Sequence, residues 1–160
     1  MEKQYLTVME DSLRRKEEIL DEIIQKNKEQ TALLNDSDMK WEDFDENANR
    51  KMELIEEMQR LDDGFEELFE RVRSELDSPD GRKKYAASIK AMQQRISAIT
   101  EKSMSIQAQE ARNKQLVEQY FSKAREKIRS GRTSSKAAMD YYKNMSQTSF
   151  AQSHFLDSKK

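Results

Sequence analysis

The sequence predicts an all-α protein, an antiparallel bundle of three long helices followed by a short C-terminal helix or a flexible tail. Its 160 residues include three glycines and one proline, so residues that interrupt helices are scarce. Charged residues make up 38% and hydrophobic residues 35%, which suits a narrow seam between helices better than a thick core. The apolar residues recur at helical spacing, which distinguishes the chain from a disordered polymer of similar composition.

The first predicted helix runs from about Glu2 to Leu34. Its apolar residues follow the a/d pattern of a coiled coil: Leu6, Met9, Leu13, Leu20, Ile23 and Leu34. Three polar residues occupy the same seam: Lys16, Asn27 and Gln30. They either set the helix register as buried polar groups or lie near the edge of the bundle, and the pattern leaves both interpretations open.

The second predicted helix follows a turn at residues 35–38, begins at about Met39 or Trp41 and ends at Leu76. Its inner stripe is aromatic and aliphatic: Trp41, Phe44, Ala48, Ile55, Met58, Phe65, Phe69, Val72 and Leu76. Gly64 interrupts this pattern at a cost of roughly 1 kcal/mol relative to alanine. We expect this glycine to mark a close helix–helix contact or a mild bend.

The turn residues Ser78-Pro79-Asp80-Gly81 separate the second helix from the third, because proline cannot continue the preceding helix. The connection is short, so we expect the third helix to fold back antiparallel, from about Arg82 to Arg129. Three polar residues weaken its inner apolar stripe: Ser103, Glu110 and Asn113. This helix is also predicted to extend beyond its partners.

The C-terminal part differs in composition, so we divide the chain into a helical bundle at residues 1–130 and a flexible or amphipathic segment at residues 131–160. Residues 136–145 are compatible with a short helix that either binds a partner or completes the bundle as a fourth helix. Aromatic and methionine side chains that a bundle cannot cover are typical anchors of protein interfaces. The candidate partner-binding residues are therefore Tyr120, Phe121, Tyr141, Tyr142, Met145, Phe150 and Phe155.

Residues that carry catalysis or bind metals are scarce in this sequence. There is no cysteine, and His154 is the only histidine. The acidic pairs of the second helix, at residues 56–57, 62–63 and 66–67, lack the Glu-x-x-His motif of a carboxylate metal site, and we interpret them as a solvated face. No glycine-rich phosphate loop occurs. The sequence therefore predicts a protein that is not an enzyme and binds no cofactor or metal.

Charge and hydropathy exclude two further classes of function. The net charge of −2 argues against nucleic-acid binding, which requires a basic face. No run approaches the roughly 20 apolar residues of a membrane span, and the first residues lack the apolar core of a secretory signal. These features indicate a cytoplasmic protein. A homodimer stays possible, because a helix that extends beyond its partners can pair with a second copy.

Several segments together resemble a known family: NRKMELI at residues 49–55, Leu61-Asp62 with Phe65, ISAIT at 96–100, IQAQEARN at 106–113, Ala137-Ala138 with Tyr141-Tyr142, and FLD at 155–157. They are similar to the flagellar type III export chaperones of the FlgN kind. The N-terminal third is a generic heptad pattern, which leaves the neighbouring FliT-like chaperones open.

The resemblance implies a cytoplasmic helical bundle that binds flagellar hook-associated proteins, keeps them unpolymerised and delivers them to the export apparatus. It also implies that the client binds the C-terminal part, on Tyr141, Tyr142, Met145, Phe150 and Phe155. The alternative from another class is a structural coiled-coil adaptor or a self-assembling scaffold without a client.

Overall fold

The computed structural model describes residues 2–127, which form three long helices and one short helix. The helices are α1 (Glu2–Leu34), α2 (Trp41–Asp77), α3 (Pro79–Lys84) and α4 (Ala86–Lys127). Within these residues there is no β-strand. The predicted all-α bundle of long helices is therefore confirmed. The predicted C-terminal helix or tail and the boundary at residue 130 lie outside the described residues.

Helix α1 is the central element of the bundle. Its backbone approaches both α2 and α4, whereas the Cα atoms of α2 and α4 stay more than 8 Å apart throughout the described residues. Arg15 of α1 bonds to Glu57 of α2, and Glu22 of α1 bonds to Arg50 of α2. Residue numbers that rise along one helix fall along the other, so α1 and α2 are antiparallel.

Helix α4 runs parallel to α1 and antiparallel to α2. Glu17 of α1 forms an ion pair with Lys102, and Thr31 of α1 donates a hydrogen bond to the side chain of Asn113. Residue numbers rise together in these pairs. The chain therefore folds up, down and up again, as the short connections predicted.

The apolar seam is continuous along the bundle. All four heptad leucines of α1 are buried, and Phe44 and Leu54 of α2 and Ile99 of α4 are fully buried. Each such side chain contributes roughly 1.5–3 kcal/mol through the apolar surface it removes from water. The three polar seam residues of α1 are buried as well, at 2% exposure or less for Lys16, Asn27 and Gln30. The interpretation that they lie at the edge of the bundle is wrong.

The start of the third long helix differs from the prediction. Helix α2 ends at Asp77, but Pro79 then begins the separate short helix α3, and Tyr85 divides α3 from α4. Proline is favourable in the first turn of a helix, because the N–H that it lacks would have no intrahelical partner there. The long helix therefore begins at Ala86 instead of Arg82. Its predicted end at Arg129 lies outside the described residues.

Ser78 fixes the sharp connection between α2 and α3. Its hydroxyl donates to the carbonyl of Glu75 at 2.7 Å and accepts from the N–H of Gly81 at 3.0 Å. The same side chain therefore satisfies a carbonyl at the end of one helix and an N–H at the start of the next.

The two described helical glycines differ in the space around them. A Cβ built on Gly64 meets nothing within 4 Å, so the predicted close helix–helix contact at this residue is wrong. A Cβ on Gly81 would collide with the carbonyl of Glu75 and crowd the hydroxyl of Ser78. Only Gly81 is therefore required by packing.

Replacing Gly64 with alanine should raise the free energy of unfolding by up to about 1 kcal/mol, because alanine loses less backbone entropy in a helix and has room there. The matched control Gly81→Ala should lower it, since the new methyl group displaces the capped turn. Urea unfolding followed by far-ultraviolet circular dichroism measures both. A loss of stability in Gly64→Ala would contradict the open environment of this glycine.

Candidate partner-binding site

Aromatic rings from two helices meet at the end of the bundle where α2 begins. The ring of Trp41 stacks on Phe121, with centroids 5.1 Å and planes 22° apart. It meets Tyr120 edge to face at 5.1 Å and Phe44 at 5.3 Å. Aromatic pairs of these geometries contribute roughly 0.5–1.5 kcal/mol each beyond their burial. Trp41 therefore ties the last turns of α4 to the start of α2. We call these four residues the aromatic cluster.

The loop between α1 and α2 places Trp41 in this position. The carboxylate of Asp36 accepts a hydrogen bond from the N–H of Asp38 at 2.9 Å, and the Asp36 carbonyl accepts one from Met39. Such Asx turns direct the backbone locally. Glu42 in the first turn of α2 adds negative charge, which the helix dipole favours at this end. The indole of Trp41, the first residue of α2, therefore faces α4.

Two of the seven predicted partner-binding residues lie in the described part of the chain. Tyr120 and Phe121 are both half-buried and belong to the aromatic cluster. The structure therefore brings them together and leaves part of each ring on the surface. The other predicted residues lie outside the described residues: Tyr141, Tyr142, Met145, Phe150 and Phe155.

Trp41 is a functional candidate that the sequence analysis missed, because its position on the inner stripe of α2 assigned it to the core. It is half-buried, and it contacts both predicted residues. The pattern of a single helix places Trp41 on the inner face, but only the alignment of α2 with α4 brings it to Tyr120 and Phe121.

A cleft of about 340 Å³ lies beside the aromatic cluster. Leu34 lines it from the end of α1, Ser37 from the α1–α2 loop, and Leu116, Tyr120 and Ala124 from α4. Polar side chains complete its lining: Asn35, Asp36, Gln119 and Lys123. The described part of α4 beyond Phe121 is short, about 9 Å for residues 122–127. The predicted extension of α4 beyond its partners stays a prediction, because the predicted end of this helix lies outside the described residues.

A larger groove of about 1110 Å³ between α1 and the start of α2 is strongly acidic. Its carboxylates are Glu29, Asp36, Glu42, Asp43, Asp45, Glu46 and Glu53. Its two basic residues already pair with acids, Lys26 with Glu29 and Arg50 with Glu22. Burial and the nearby charge of Glu42 raise the pKa of Asp45. This side of the bundle therefore carries an excess of negative charge.

About ten residues along the helices from the aromatic cluster, a layer of buried polar side chains crosses all three long helices. Its members are Asn27 and Gln30 of α1, Asn47 and Lys51 of α2, and Glu110 and Asn113 of α4. The Lys51 ammonium lies 2.6 Å from the Glu110 carboxylate. It also donates to the side-chain oxygen of Gln30, which accepts from Asn113 as well. We call these six residues the polar layer.

Desolvation is the largest influence on the charge of Lys51 in the polar layer. Lys51 is 0% exposed, and burial lowers the pKa of its ammonium to about 8 while the attraction of Glu110 opposes this shift. The sequence pattern marks Glu110 and Asn113 as interruptions of an apolar seam, but Lys51 was not predicted as their neighbour. Lys51 shares a seven-residue column with Phe44 and Met58, so the heptad spacing contained the signal.

A second buried ion pair corrects the interpretation of the acidic face of α2. Asp62 lies 2.6 Å from the ammonium of Lys16, and burial raises the pKa of Asp62 against the opposing effect of Lys16. Glu57 accepts two hydrogen bonds from the guanidinium of Arg15, which lower its pKa. Glu57 and Asp62 therefore join α2 to α1. The prediction that the acidic pairs of α2 form a solvated face is wrong for these two residues.

The described residues contain neither a metal-binding cluster nor a membrane-spanning helix. Among them, no group of three or more histidine, cysteine, aspartate or glutamate residues is arranged to hold a metal ion. None of the described helices combines the length and hydropathy needed to cross a membrane.

Comparison with known proteins gives a family match. Residues 1–149 match the family described as FlgN protein. The match covers all four described helices and continues into the C-terminal segment. Neither the comparison with curated proteins nor that with solved structures gives a match.

Trp41→Ala should lower the free energy of unfolding by about 2–3 kcal/mol, less than for a fully buried ring, and speed amide hydrogen exchange in residues 116–127. The control Trp41→Phe should recover much of both losses, because it keeps an aromatic ring at this position. Exchange measured by mass spectrometry tests the local effect. Unchanged exchange in residues 116–127 of Trp41→Ala would contradict the assigned role of Trp41.

The ammonium of Lys51 should titrate near pH 8, because burial outweighs the attraction of Glu110. The unfolded chain, with a lysine pKa of 10.5, then holds this proton more tightly. The stability that this group contributes is therefore complete above pH 10.5 and lost as the pH falls toward 8. Nuclear magnetic resonance of isotope-labelled lysine ε-carbons, assigned with Lys51→Arg, measures the titration. A midpoint above 10.5 would show that the ion pair outweighs burial.

Proposed function

Because the chain belongs to the FlgN family of flagellar export chaperones, we propose that it binds hook-associated proteins, which form the hook–filament junction, in the cytoplasm. In this role it keeps them unpolymerised and delivers them to the type III export apparatus. The observation that carries the proposal is the family match over residues 1–149, which includes the aromatic cluster and most of the C-terminal segment.

The proposed mechanism is physical masking of a polymerisation surface. Axial filament proteins assemble through helical terminal segments, and a chaperone helix laid on such a segment blocks assembly while it is bound. Such a role needs an interface and no catalytic residue. We therefore propose that the protein acts by binding alone.

The proposed binding site combines the aromatic cluster with the C-terminal segment. Tyr120 and Phe121 expose part of their rings beside a cleft that apolar and polar side chains line together, and partly exposed aromatic rings are typical anchors of an interface. The family match ends at residue 149, so it includes Tyr141, Tyr142 and Met145. Phe150 and Phe155 lie beyond it. We therefore assign the main client contacts to the residues up to Met145.

Calorimetric titration with terminal helices of hook-associated proteins from the same organism tests this assignment. A chain that ends at Ser130 should bind at least about tenfold more weakly than the full chain, a loss of about 1.4 kcal/mol. A chain that ends at residue 149 should keep most of the affinity. The reason is that the first truncation removes Tyr141, Tyr142 and Met145, whereas the second keeps them.

Substitutions on the bundle provide the matched controls. Phe121→Ala should weaken client binding, whereas Met104→Ala should not, because Met104 is exposed on α4 away from the cluster. Equal binding by the full chain and the chain ending at Ser130 would show that the client binds the bundle and not the C-terminal segment. Absence of binding by every version would favour the alternative of an adaptor or scaffold, and light scattering would then test for a homodimer.

A further inference from the structure

We propose that the buried Lys51–Glu110 ion pair fixes the register of α4 against α2, so that the bundle has one alignment of its helices instead of several. The pair links two helices whose Cα atoms stay more than 8 Å apart in the described residues. Apart from the short connection through Ser78 and α3, their alignment therefore depends on side-chain contacts. The inference rests on the polar layer and is independent of the client.

The apolar part of the seam does not specify one alignment by itself. Met92, Ile99 and Ile106 follow one another at seven-residue intervals on the inner face of α4, and all three are buried. A slide of α4 by one heptad, about 10.5 Å, replaces Ile99 by Met92 or Ile106, which are of similar size. Swaps of this kind between apolar residues of similar volume are usually tolerated. Apolar packing therefore discriminates weakly between the two registers.

The ion pair discriminates strongly between the native register and one shifted by a heptad. Glu110 is the acidic residue among the buried positions of α4, and Lys51 is fully buried opposite it. After a slide by one heptad, Glu110 would face Phe44 or Met58, which lie seven residues from Lys51 on the same column. Both charges would then be buried without a counter-charge. Breaking a buried pair in this way is far more costly than exchanging two apolar residues.

Asn113 specifies the same register against α1. Its side-chain N–H groups donate to the carbonyl of Asn27 and to the side-chain oxygen of Gln30, both at 3.1 Å. Its side-chain oxygen accepts from the hydroxyl of Thr31 at 2.6 Å. These bonds are lost together when α4 slides. The polar layer thus favours one alignment of α4 with both neighbouring helices.

A register device and a merely stabilising contact predict different effects of an apolar replacement. Burial of two charges has a desolvation cost, so well-packed apolar residues of similar volume often stabilise a protein equally well. If the pair selects the register, Lys51→Met/Glu110→Leu should keep its thermal midpoint and lose its single alignment. If the pair merely stabilises the fold, the midpoint should fall and the alignment should stay single.

Spin-label distances in the full chain distinguish these outcomes. The sequence has no cysteine, so Glu56→Cys and Ser105→Cys introduce one label on α2 and one on α4, both at exposed positions. The parent chain should give one narrow distribution of label distances. Lys51→Met/Glu110→Leu should give a broadened or two-component distribution with a thermal midpoint at or above that of the parent. Chains with a single label identify distances between molecules.

Two further variants complete the test. The charge-reversed Lys51→Glu/Glu110→Lys keeps an ion pair and should keep one narrow distribution. Lys16→Met/Asp62→Leu removes the buried pair that joins α1 to α2 and should leave the distance between α2 and α4 single. A single narrow distribution in Lys51→Met/Glu110→Leu would overturn the proposal. Its failure to fold would do the same, because the pair would then act through stability.

Discussion

The hydrogen-bonded ion pair between Lys51 and Glu110 is the interaction on which the candidate site depends. Trp41 precedes Lys51 by ten residues, and Tyr120 follows Glu110 by ten residues. Because α2 and α4 are antiparallel, these equal distances, about 15 Å each, bring Trp41 and Tyr120 to the same level of the bundle. The contact between their rings is therefore a consequence of the alignment set in the polar layer. A change of register would separate the rings that form the aromatic cluster.

The sequence predicted the bundle because the heptad spacing of apolar residues indicates which face of a helix is buried. Leu6 to Leu34 and Phe44 to Val72 follow the seven-residue repeat, and their helices have nearly the expected bounds. The start of the third long helix was predicted less well, since proline both ends α2 and is suited to the first turn of α3. The pattern could not decide whether the polar seam residues were buried, because burial of a lysine depends on the acid that another helix supplies.

The candidate site was predicted in part for a related reason. Tyr120 and Phe121 were recognised as aromatic residues near the end of a long helix, where three-helix packing weakens. Their contact with Trp41 depends on how two helices far apart in sequence are aligned, which no single helical pattern contains. Identifying Lys51 as the counter-charge of Glu110 would have supplied that alignment. Buried Lys51 is therefore the residue that would have connected the heptad pattern to the aromatic cluster.

The position of the aromatic cluster has opposing effects on the affinity of the proposed interface. Trp41 holds Tyr120 and Phe121 before a partner arrives, so little side-chain entropy is lost when they are covered. The same contacts already hide part of each ring, so a partner gains less from apolar burial than fully exposed rings would provide. Rings that are ordered but already half-buried favour a moderate affinity for the client. This property suits a chaperone that must retain its client and then release it for export.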